Sequence, residues 1–352
     1  MKALFFWEES GLSLDRGNPY GGLLARAMAN HGVELLPGYP EQLSDAWLEE
    51  NRGEVDVLHL HWPHFLYQTT ALSGRVSHCA DLIGRLARAR LLGYKVVWTM
   101  HNLYPHESDS RDLDRLARLA ITQIASAVIV HCNYARDLVK QHFFRDSGVF
   151  VIPHGHFVDP YANTVSQAEA RAKLNIPKDR FVYLFFGNVR PNKGVEHLLD
   201  AFTNISGEDD VLLLAAKVYS DYGSSLVDLV AGKSQRINVH ASSFFGNDEL
   251  QLYFNASNAV VLPFVDILTS GSVITALSFI RPVVVPAMGC LPELVDDAVG
   301  VLYEPRERGS LEKAMSVIKT RTLESYEQGI RLRLQMLDWD PIAQLTLEAY
   351  QR

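Results

Sequence analysis

The sequence alternates strand-like apolar runs with amphipathic helical segments over nearly its whole length, and this pattern most narrows the possible folds. Near-continuous apolar runs are typical of strands buried on both faces of a parallel sheet. The pattern therefore predicts an α/β protein built from doubly wound, Rossmann-like sheets. The strand-like runs are Ala3–Trp7, Val33–Leu36, Val55–Leu60, Val96–Met100, Ala127–Val130, Val149–Ile152, Phe181–Phe186, Val211–Ala215, Ile237–His240, Ala259–Leu262 and Pro282–Val285.

The length of the chain predicts two domains, because 352 residues exceed the roughly 250–300 that one hydrophobic core supports. We expect a first domain over residues 1–162 and a second over residues 163–338, with the polar, proline-bearing segment 159–164 as linker. Asp340-Pro341 predicts the start of a last helix within residues 339–352. We expect this helix to pack back on the first domain; docking on the second is the alternative.

A loop with two cations follows the apolar run Phe181–Phe186. Gly187 and Gly194 bound this loop, which carries Arg190 and Lys193, and a helical pattern comes next. A strand–loop–helix unit directs unpaired backbone N–H groups and the positive helix end to one point, which suits an anion. The guanidinium and the ammonium together could hold a diphosphate. Alternatively, they are two exposed cations beside an ordinary turn.

A second strand–loop–helix unit lies further along, where Leu262-Pro263-Phe264 leads through Asp266 to a turn rich in hydroxyl groups. This turn, Thr269-Ser270-Gly271-Ser272, stands where a helix would begin. Its N–H and hydroxyl groups would be available to a ligand.

Together these stretches resemble the retaining, nucleotide-sugar-dependent glycosyltransferases of family four, which have the GT-B fold. The resemblance implies two Rossmann-like domains facing a central cleft, a nucleotide-sugar donor and no required metal or other cofactor. It also implies that the sugar keeps its anomeric configuration, with Arg190 and Lys193 stabilising the leaving diphosphate. The matching motifs are Gly-x-x-Arg-x-x-Lys-Gly at 187–194, the acidic residue with its Thr-Ser-Gly-Ser turn at 266–272, Arg-Pro-Val-Val at 281–284, Leu-Pro-Glu-Leu-Val at 291–295 and Pro-His-Gly at 153–155.

The resemblance places the acceptor and a catalytic histidine in the first domain. His101 follows the run Val96–Met100 and is expected beside the transferred sugar, where it would contact a hydroxyl. The residues expected to bind the acceptor are His61, Trp62, Asn102 and His106. As an alternative, the histidines merely hydrogen-bond loops.

The donor is expected to contact residues of both domains. Gly21 and Gly22 would let the backbone approach it, although a plain turn would look the same. Asp266 would contact the sugar or, alternatively, cap a helix, and residues Thr269, Ser270, Gly271 and Ser272 would bind the diphosphate. Phe244 would edge the base pocket.

Two positions depart from the family pattern. Many members have an arginine directly after the glycine of the first loop, where this chain has Asn188. Arg190 must therefore reach the diphosphate in place of that arginine. Many also have two glutamates with seven residues between them; Asp266 stands for the first and Ile274 for the second. Because isoleucine cannot accept hydrogen bonds from ribose hydroxyls, nucleotide affinity or preference should differ.

Other charged and histidine-rich segments have plainer interpretations. His59, His61 and His64 could hold zinc, but no carboxylate or thiolate completes the set. The helical Asp112-Leu113-Asp114 is interpreted as solvated charge. Arg85, Arg88 and Arg90 form a basic face that could touch anionic lipid, or simply face solvent.

Composition and charge limit the partners and the location. The net charge of −8 argues against a nucleic-acid partner. No apolar run reaches the roughly 18 residues that span a bilayer, and the short run Ala3–Trp7 is a first strand rather than a signal peptide. We expect a cytoplasmic protein, with peripheral contact to the inner face of the membrane as a further possibility.

The sequence thus predicts a metal-independent hexosyltransferase that uses a nucleoside-diphosphate sugar, with UDP-glucose favoured over GDP-mannose. The expected acceptor is a saccharide or lipid-linked saccharide in surface or exopolysaccharide biosynthesis. A sugar-nucleotide epimerase on the same fold is one alternative, although no acidic cluster is found for it. A degenerate binding subunit is the other, because Asn188 and Ile274 weaken the donor motif.

Overall fold

The computed structural model describes residues 1–7, 11–15, 17–68, 72–105, 110–230 and 234–352. The chain divides into two compact units. Unit 1 comprises Met1–Gly155 together with Leu337–Arg352, and unit 2 comprises His156–Met336. Each unit is built around one parallel sheet of six strands.

All strand pairs in the two sheets are parallel. The sheet order is β2-β1-β3-β4-β5-β6 in unit 1 and β12-β11-β10-β7-β8-β9 in unit 2. The strands are β1 (Lys2–Phe6), β2 (Glu34–Pro37), β3 (Val57–Leu60), β4 (Lys95–Thr99), β5 (Ala127–Val130), β6 (Val149–Val151), β7 (Phe181–Asn188), β8 (Asp210–Lys217), β9 (Ile237–Ser242), β10 (Ala259–Val261), β11 (Val283–Pro286) and β12 (Gly300–Tyr303).

Helices connect successive strands, as parallel pairing requires. The helices are α1 (Tyr20–Asn30), α2 (Asp45–Glu50), α3 (Leu72–Leu92), α4 (Arg111–Ile124), α5 (Asn133–Phe143), α6 (Gln167–Lys173), α7 (Val195–Ile205), α8 (Asp221–Val230), α9 (Asn247–Ala256), α10 (Gly271–Ser278), α11 (Leu291–Leu294), α12 (Ser310–Ile318), α13 (Leu323–Met336) and α14 (Trp339–Gln351). The last helix, α14, packs on α1 and against β4 and β5, so it is part of unit 1.

Each sheet reverses its winding direction next to its first strand. In unit 1 the chain moves from β1 to β2 on one side and from β3 to β4 on the other. In unit 2 it moves from β7 to β8 on one side and from β10 to β11 on the other. Ligands of doubly wound proteins bind beyond the carboxyl ends of the strands at such a point. The candidate sites are therefore the loops after β1 and β3, and those after β7 and β10.

The structure corrects the interpretation of Asp114 as solvated charge. Asp114 lies in α4 but is only 7% exposed, and the Tyr67 hydroxyl donates a hydrogen bond of 2.6 Å to its carboxylate. Arg118, one helical turn further on, is 1% exposed. The helical pattern was predicted correctly; the burial of this face depends on Tyr67, which is distant in sequence.

The predicted basic face of α3 is partly neutralised by contacts within unit 1. Arg88 pairs with the carboxylate of Glu49, and Arg90 donates to the backbone carbonyl of Tyr94 at 3.0 Å. Among the described residues, no helix combines the length and the apolar character that crossing a bilayer would need.

Candidate active site

The first candidate site lies in unit 2, at the carboxyl end of β7. We call residues 187–194 the cation loop. Arg190 precedes a single 3-10 turn, Pro191–Lys193, and Gly194 then adopts a left-handed conformation with φ of 63° just before α7. A Cβ atom on Gly194 would lie 2.1 Å from the carbonyl oxygen of Pro263. Glycine is therefore required here both by the backbone angle and by the close approach of the chain that follows β10.

Lys193 lies between the two loops of this site. Its Nζ atom is 4.8 Å from the centre of the Phe264 ring, a cation–π contact. Burial, with a smaller effect from the positive charge of Arg190, lowers the pKa of Lys193 to about 8. No carboxylate of the described residues forms an ion pair with Lys193, so its ammonium is well suited to bind an added anion.

The second loop of the site ends at the first turn of α10, and we call residues 269–272 the hydroxyl turn. Ser270 caps the helix by accepting a hydrogen bond of 3.3 Å from the backbone N–H of Val273. The Oγ atom of Ser272 lies 3.4 Å from the position of a Cβ atom on Gly187. The backbone N–H of Val265 also donates to Asn192 at 2.9 Å. The cation loop and the hydroxyl turn therefore lie side by side, as the anion-site hypothesis requires.

The remaining predicted residues of unit 2 have different environments. Asp266 is exposed, and because Ser270 caps α10 the capping alternative for Asp266 is wrong. Ile274 is only 2% exposed and packs inside the unit, so its side chain offers a nucleotide nothing polar. Phe244 follows β9 and is 52% exposed, which leaves its ring face accessible.

A third cation in this region was not predicted from the sequence. Lys217 ends β8 directly beside Asn188 of β7, and its Nζ atom lies 5.2 Å from the Phe186 ring. Burial lowers its pKa. The available signal was a lysine at the end of the apolar run Val211–Ala216, next to the strand that precedes the cation loop.

The second candidate site lies in unit 1, where the carboxyl ends of four neighbouring strands carry buried histidines. His59 is in β3, and His61 follows that strand by one residue. His101 follows β4 by two residues, His131 follows β5 by one and His154 follows β6 by three. All five, His59, His61, His101, His131 and His154, are at most 9% exposed. We call these five residues the histidine cluster.

Hydrogen bonds join three members of the cluster into a row across the sheet. Nδ1 of His61 lies 2.9 Å from Nε2 of His101, and Nδ1 of His101 lies 3.2 Å from Nε2 of His131. Nδ1 of His131 lies 2.9 Å from the carbonyl oxygen of Ile152. We call His61, His101 and His131 the histidine row. His59 is held separately, by the hydroxyls of Thr99 and Tyr350 at 2.7 Å each.

The cluster is neutral at physiological pH because burial disfavours the imidazolium form. Burial lowers the pKa of His59 and of His154 to about 3. It lowers the pKa of His131 to about 4, with the Ile152 carbonyl opposing the shift. The pKa values of His61 and His101 fall well below the usual value, through burial first and neighbouring histidines second.

Aromatic rings surround the row. Trp62 stacks on His101 with ring centres 5.1 Å apart, and Trp7 contacts both His61 at 4.9 Å and His101 at 5.2 Å. Tyr20, at the start of α1, contacts His101 at 5.4 Å. Asn102 is also buried, with 7% exposure. The predicted acceptor residues His61, Trp62 and Asn102 therefore lie together around His101, whereas His106 is outside the described residues.

Gly21 and Gly22 are explained by packing within unit 1. A Cβ atom on Gly21 would lie 1.9 Å from the carbonyl oxygen of Gly11, and one on Gly22 would lie 2.8 Å from that of Leu12. The backbone that approaches both glycines is thus the chain's own loop. Contact of these two residues with a donor stays a prediction.

Within the described part of the chain, no group of three or more histidine, cysteine, aspartate or glutamate side chains is arranged to hold a metal ion. Most ring nitrogens of the row are engaged with one another, which leaves few lone pairs for a metal. Sequence reasoning missed His131 and gave no role to His154, although each follows an apolar strand as His101 does.

Two family models account for most of the chain. Residues 166–328 match the model described as glycosyl transferases group 1, and residues 21–159 match that of glycosyltransferase family 4. The chain belongs to the group 1 glycosyltransferases, of the family 4 type. It is therefore a GT-B enzyme that uses a nucleotide-sugar donor, and the predicted fold class is confirmed.

Among its relatives is a GDP-mannose:glycolipid 4-beta-D-mannosyltransferase of Xanthomonas campestris pv. campestris, 28% identical over 310 residues, covering 85% of this chain and 80% of the relative. Another is a D-inositol 3-phosphate glycosyltransferase of Streptomyces avermitilis, 23% identical, covering 94% of this chain and 72% of the relative.

Solved structures show the same fold. Sucrose-phosphate synthase from Thermosynechococcus elongatus is similar with a TM-score of 0.78 at 18% identity, covering 100% of this chain and 98% of that protein. Anabaena HepE in complex with UDP is similar with a TM-score of 0.73 at 19% identity, covering 100% of both chains.

Proposed function

We propose that this glycosyltransferase transfers a hexose from a nucleoside-diphosphate sugar to a saccharide carried on a lipid, in the biosynthesis of a surface polysaccharide. The observation that carries the proposal is the adjacency of the cation loop and the hydroxyl turn in unit 2. The mannosyltransferase relative, named for a glycolipid acceptor and GDP-mannose, makes GDP-mannose the first donor to test. UDP-glucose, favoured from the sequence, is the second.

The chemistry follows from where charge develops. When the bond between the sugar and the diphosphate breaks, negative charge grows on the distal phosphate. Arg190, Lys193 and the N–H groups at the start of α10 are fixed donors for that charge, so they stabilise the transition state more than the ground state. Loss of one such donor typically lowers kcat by roughly a hundredfold to a thousandfold.

Metal independence belongs to the same proposal. Two cations and a helix N-terminus supply the positive charge that a divalent ion would otherwise bring to the leaving group. We expect turnover to continue unchanged after dialysis against EDTA. Loss of activity that Mg²⁺ or Mn²⁺ restores would contradict this part of the proposal.

Retention of anomeric configuration is the stereochemical course that the family resemblance implies, and it is part of the proposal. In that course the attacking hydroxyl gives its proton to the leaving phosphate, and no protein base is needed. The mannosyltransferase relative is named for a β-linked product. The one-bond C1–H1 coupling of the product, measured by NMR, separates the two outcomes; a β-mannoside formed from α-linked GDP-mannose would contradict retention.

The experiment offers GDP-mannose, UDP-glucose and ADP-glucose to the protein with a bacterial glycolipid extract and measures nucleotide release. We expect release with one donor and loss of at least roughly a hundredfold in Arg190→Ala and Lys193→Ala. Arg308→Ala, at an exposed arginine of unit 2, is the matched control. Formation of a new sugar nucleotide would indicate the epimerase instead, and binding without turnover would indicate the degenerate subunit.

The lipid-linked acceptor would bring the protein to the cytoplasmic face of the membrane. Of the basic residues on α3, Arg85 is exposed, whereas Arg88 is paired with Glu49. Peripheral contact is therefore proposed to come from the acceptor more than from this helix. Sedimentation with vesicles that contain the glycolipid extract, compared with vesicles of anionic lipid alone, tests whether the acceptor contributes more to membrane contact than α3 does.

A further inference from the structure

Lys217 lies at the carboxyl end of β8, beside the start of the cation loop. Its Cα atom is the register partner of that of Asn188, and its carbonyl oxygen accepts a hydrogen bond of 2.9 Å from the N–H of Val189. Side chains of register partners on neighbouring strands leave the sheet on the same face, roughly 5 Å apart. The lysine side chain therefore projects directly beside residue 188, the second residue of the cation loop.

The ammonium of Lys217 is held at this edge of the sheet and remains accessible. Its Nζ atom lies 5.2 Å from the centre of the Phe186 ring, a cation–π contact. Phe186 precedes Asn188 by two residues, so its ring is on the face from which Lys217 also projects. The lysine side chain is partly buried, but its Nζ atom is not enclosed, so a ligand at the strand ends can reach it.

The charge of Lys217 has no counter-charge in the described part of unit 2. Burial lowers the pKa of this lysine, and no carboxylate opposes the shift. Lys319, by contrast, lies 2.6 Å from the buried carboxylate of Asp210. A partly buried cation without a partner destabilises the folded chain, because nothing offsets the loss of its hydration. Folding therefore gives no reason for a lysine at this position, whereas a bound anion does.

The anion that Lys217 can reach is the one expected at the cation loop. In the sheet of unit 2, β7 lies between β10, which leads to the hydroxyl turn, and β8, which ends in Lys217. At the end of β7, the Oγ atom of Ser272 is 3.4 Å from the Cβ position of Gly187. The hydroxyl turn and Lys217 thus flank the end of the same strand. One strand spacing is roughly 5 Å, which the four methylene groups of a lysine side chain can span.

We propose that Lys217 is a third cation of the donor site and binds the diphosphate of the nucleotide, at a place where Asn188 provides no charge. This inference rests on the proposed function, because it assigns a further donor-binding residue to that reaction. The ligand group must be an anion. A base or a ribose would offer the ammonium only neutral oxygens, which do not offset a partly buried charge as a phosphate does.

The first test uses inorganic pyrophosphate, which has the anion but no base, ribose or sugar. Lys217→Met keeps an unbranched side chain against Phe186 and removes the charge. We expect a Tm no lower than that of the wild type, and a pyrophosphate Kd raised roughly tenfold to a hundredfold by calorimetry. Lys173→Met, at an exposed lysine of α6, is the matched control and should keep the wild-type Kd.

The same titrations with GDP and UDP show which part of the nucleotide Lys217 contacts. We expect Lys217→Met to weaken the nucleotide that binds and pyrophosphate by the same factor. An unchanged pyrophosphate Kd would overturn the proposal. This holds even if the Kd of the nucleotide rises, because Lys217 would then contact the base or the ribose.

The second test moves the charge to the neighbouring strand. An arginine at position 188 leaves the sheet on the same face as Lys217 and can bind a phosphate in its place. We expect the double variant Lys217→Met with Asn188→Arg to bind pyrophosphate within roughly threefold of the wild type, so the two changes are not additive. A double variant that folds with the Tm of Lys217→Met and binds pyrophosphate as weakly would overturn the proposal.

The outcomes distinguish this inference from the proposed function, because pyrophosphate binding needs no turnover. A pyrophosphate Kd that rises in Arg190→Ala and Lys193→Ala but not in Lys217→Met would overturn the inference alone. No turnover by the wild type with any donor would remove the proposed function. Pyrophosphate binding that still depended on Lys217 would in that case support the anion contact in a protein that binds nucleotides without transferring a sugar.

Discussion

Lys193 is the residue on whose charge the proposed chemistry depends most directly. It is partly buried beside Phe264 and has a second cation, Arg190, near it. Both surroundings disfavour its charged form, so its pKa falls to about 8. A bound diphosphate would reverse this effect, because an opposite charge favours the ammonium.

This gives a prediction for the pH dependence of the reaction. We expect kcat/KM for the donor to be level below about pH 7, to reach half of that value near the Lys193 pKa of about 8, and to approach a tenfold loss per pH unit above it, because kcat/KM reports the free enzyme. Lys193→Arg should remove this fall, at a lower overall rate, since a guanidinium stays protonated. Initial rates at low donor concentration test it; a level wild-type profile up to pH 9.5 would contradict the role of Lys193.

Single residues also show which parts of the candidate sites could be predicted from the sequence. Arg190 and Lys193 were recognisable because the motif is local: a strand, two glycines and two cations lie within a few residues. The histidine row was not, because His61, His101 and His131 become neighbours only through the order of β3, β4 and β5 in the sheet. A repeated signal did exist, since a histidine follows each of these strands closely.

At the scale of elements, the geometry of the candidate donor site depends on the two loops that follow β7 and β10. The cation loop turns at Gly194 directly against the carbonyl oxygen of Pro263. The hydroxyl turn then starts α10 beside Gly187. A change that separates the two loops should weaken donor binding even where every charged residue remains.

Gly194→Ala tests this dependence, with Gly309→Ala as its matched control. Both glycines have positive φ, 63° and 79°. Backbone strain should therefore lower the unfolding free energy of both variants by about 1 kcal/mol. Only at Gly194 does the new methyl group meet another atom, at 2.1 Å; nothing lies within 4 Å at Gly309. We expect Gly194→Ala to lose about 3 kcal/mol of unfolding free energy and to raise the donor KM.

The measurements are urea unfolding followed by circular dichroism, and donor KM for both variants. Gly309→Ala should lose about 1 kcal/mol and keep the wild-type KM. If the two glycine variants behave alike, the contact between the cation loop and Pro263 does not position the site.

Most elements were predicted correctly from the sequence because buried parallel strands are nearly all apolar. The exception is β12, Gly300–Tyr303, which was not predicted. This edge strand begins at Gly300, and glycine, which is depleted in strands, interrupts the run from Ala298 to Tyr303. Its pairing with β11 depends on the rest of the sheet being formed.

At the scale of the whole molecule, the histidine cluster links the proposed acceptor site to the stability of unit 1. All five histidines are buried and neutral in the folded chain, whereas an unfolded histidine has a pKa near 6.5. Below that pH the unfolded chain binds protons that the folded chain does not. Stability is therefore complete above pH 6.5 and falls as the pH decreases towards the folded values of about 3 to 4.

This gives a prediction for acid unfolding. At pH 5.5 each buried histidine lowers the unfolding free energy by about 1.4 kcal/mol, so the five together remove about 7 kcal/mol. That amount is comparable with the whole stability of a typical domain. We therefore expect unit 1 to unfold between pH 6 and 5, earlier than most globular domains.

Tryptophan fluorescence reports this transition selectively, because all five tryptophans, Trp7, Trp47, Trp62, Trp98 and Trp339, belong to unit 1. His78→Gln, which removes an exposed histidine, should unfold at the same pH as the wild type. Native emission that persists down to pH 4 would show that the cluster is not buried as described.

The proposed function depends on one anion site, formed in unit 2 where the cation loop and the hydroxyl turn lie side by side. The most direct measurement is difference density from crystals soaked with GDP or UDP. We expect the diphosphate within hydrogen-bond distance of Lys193 and of the first backbone N–H groups of α10, with Arg190 beside it. Density for the diphosphate elsewhere on the molecule, with these groups in contact only with solvent, would contradict the account.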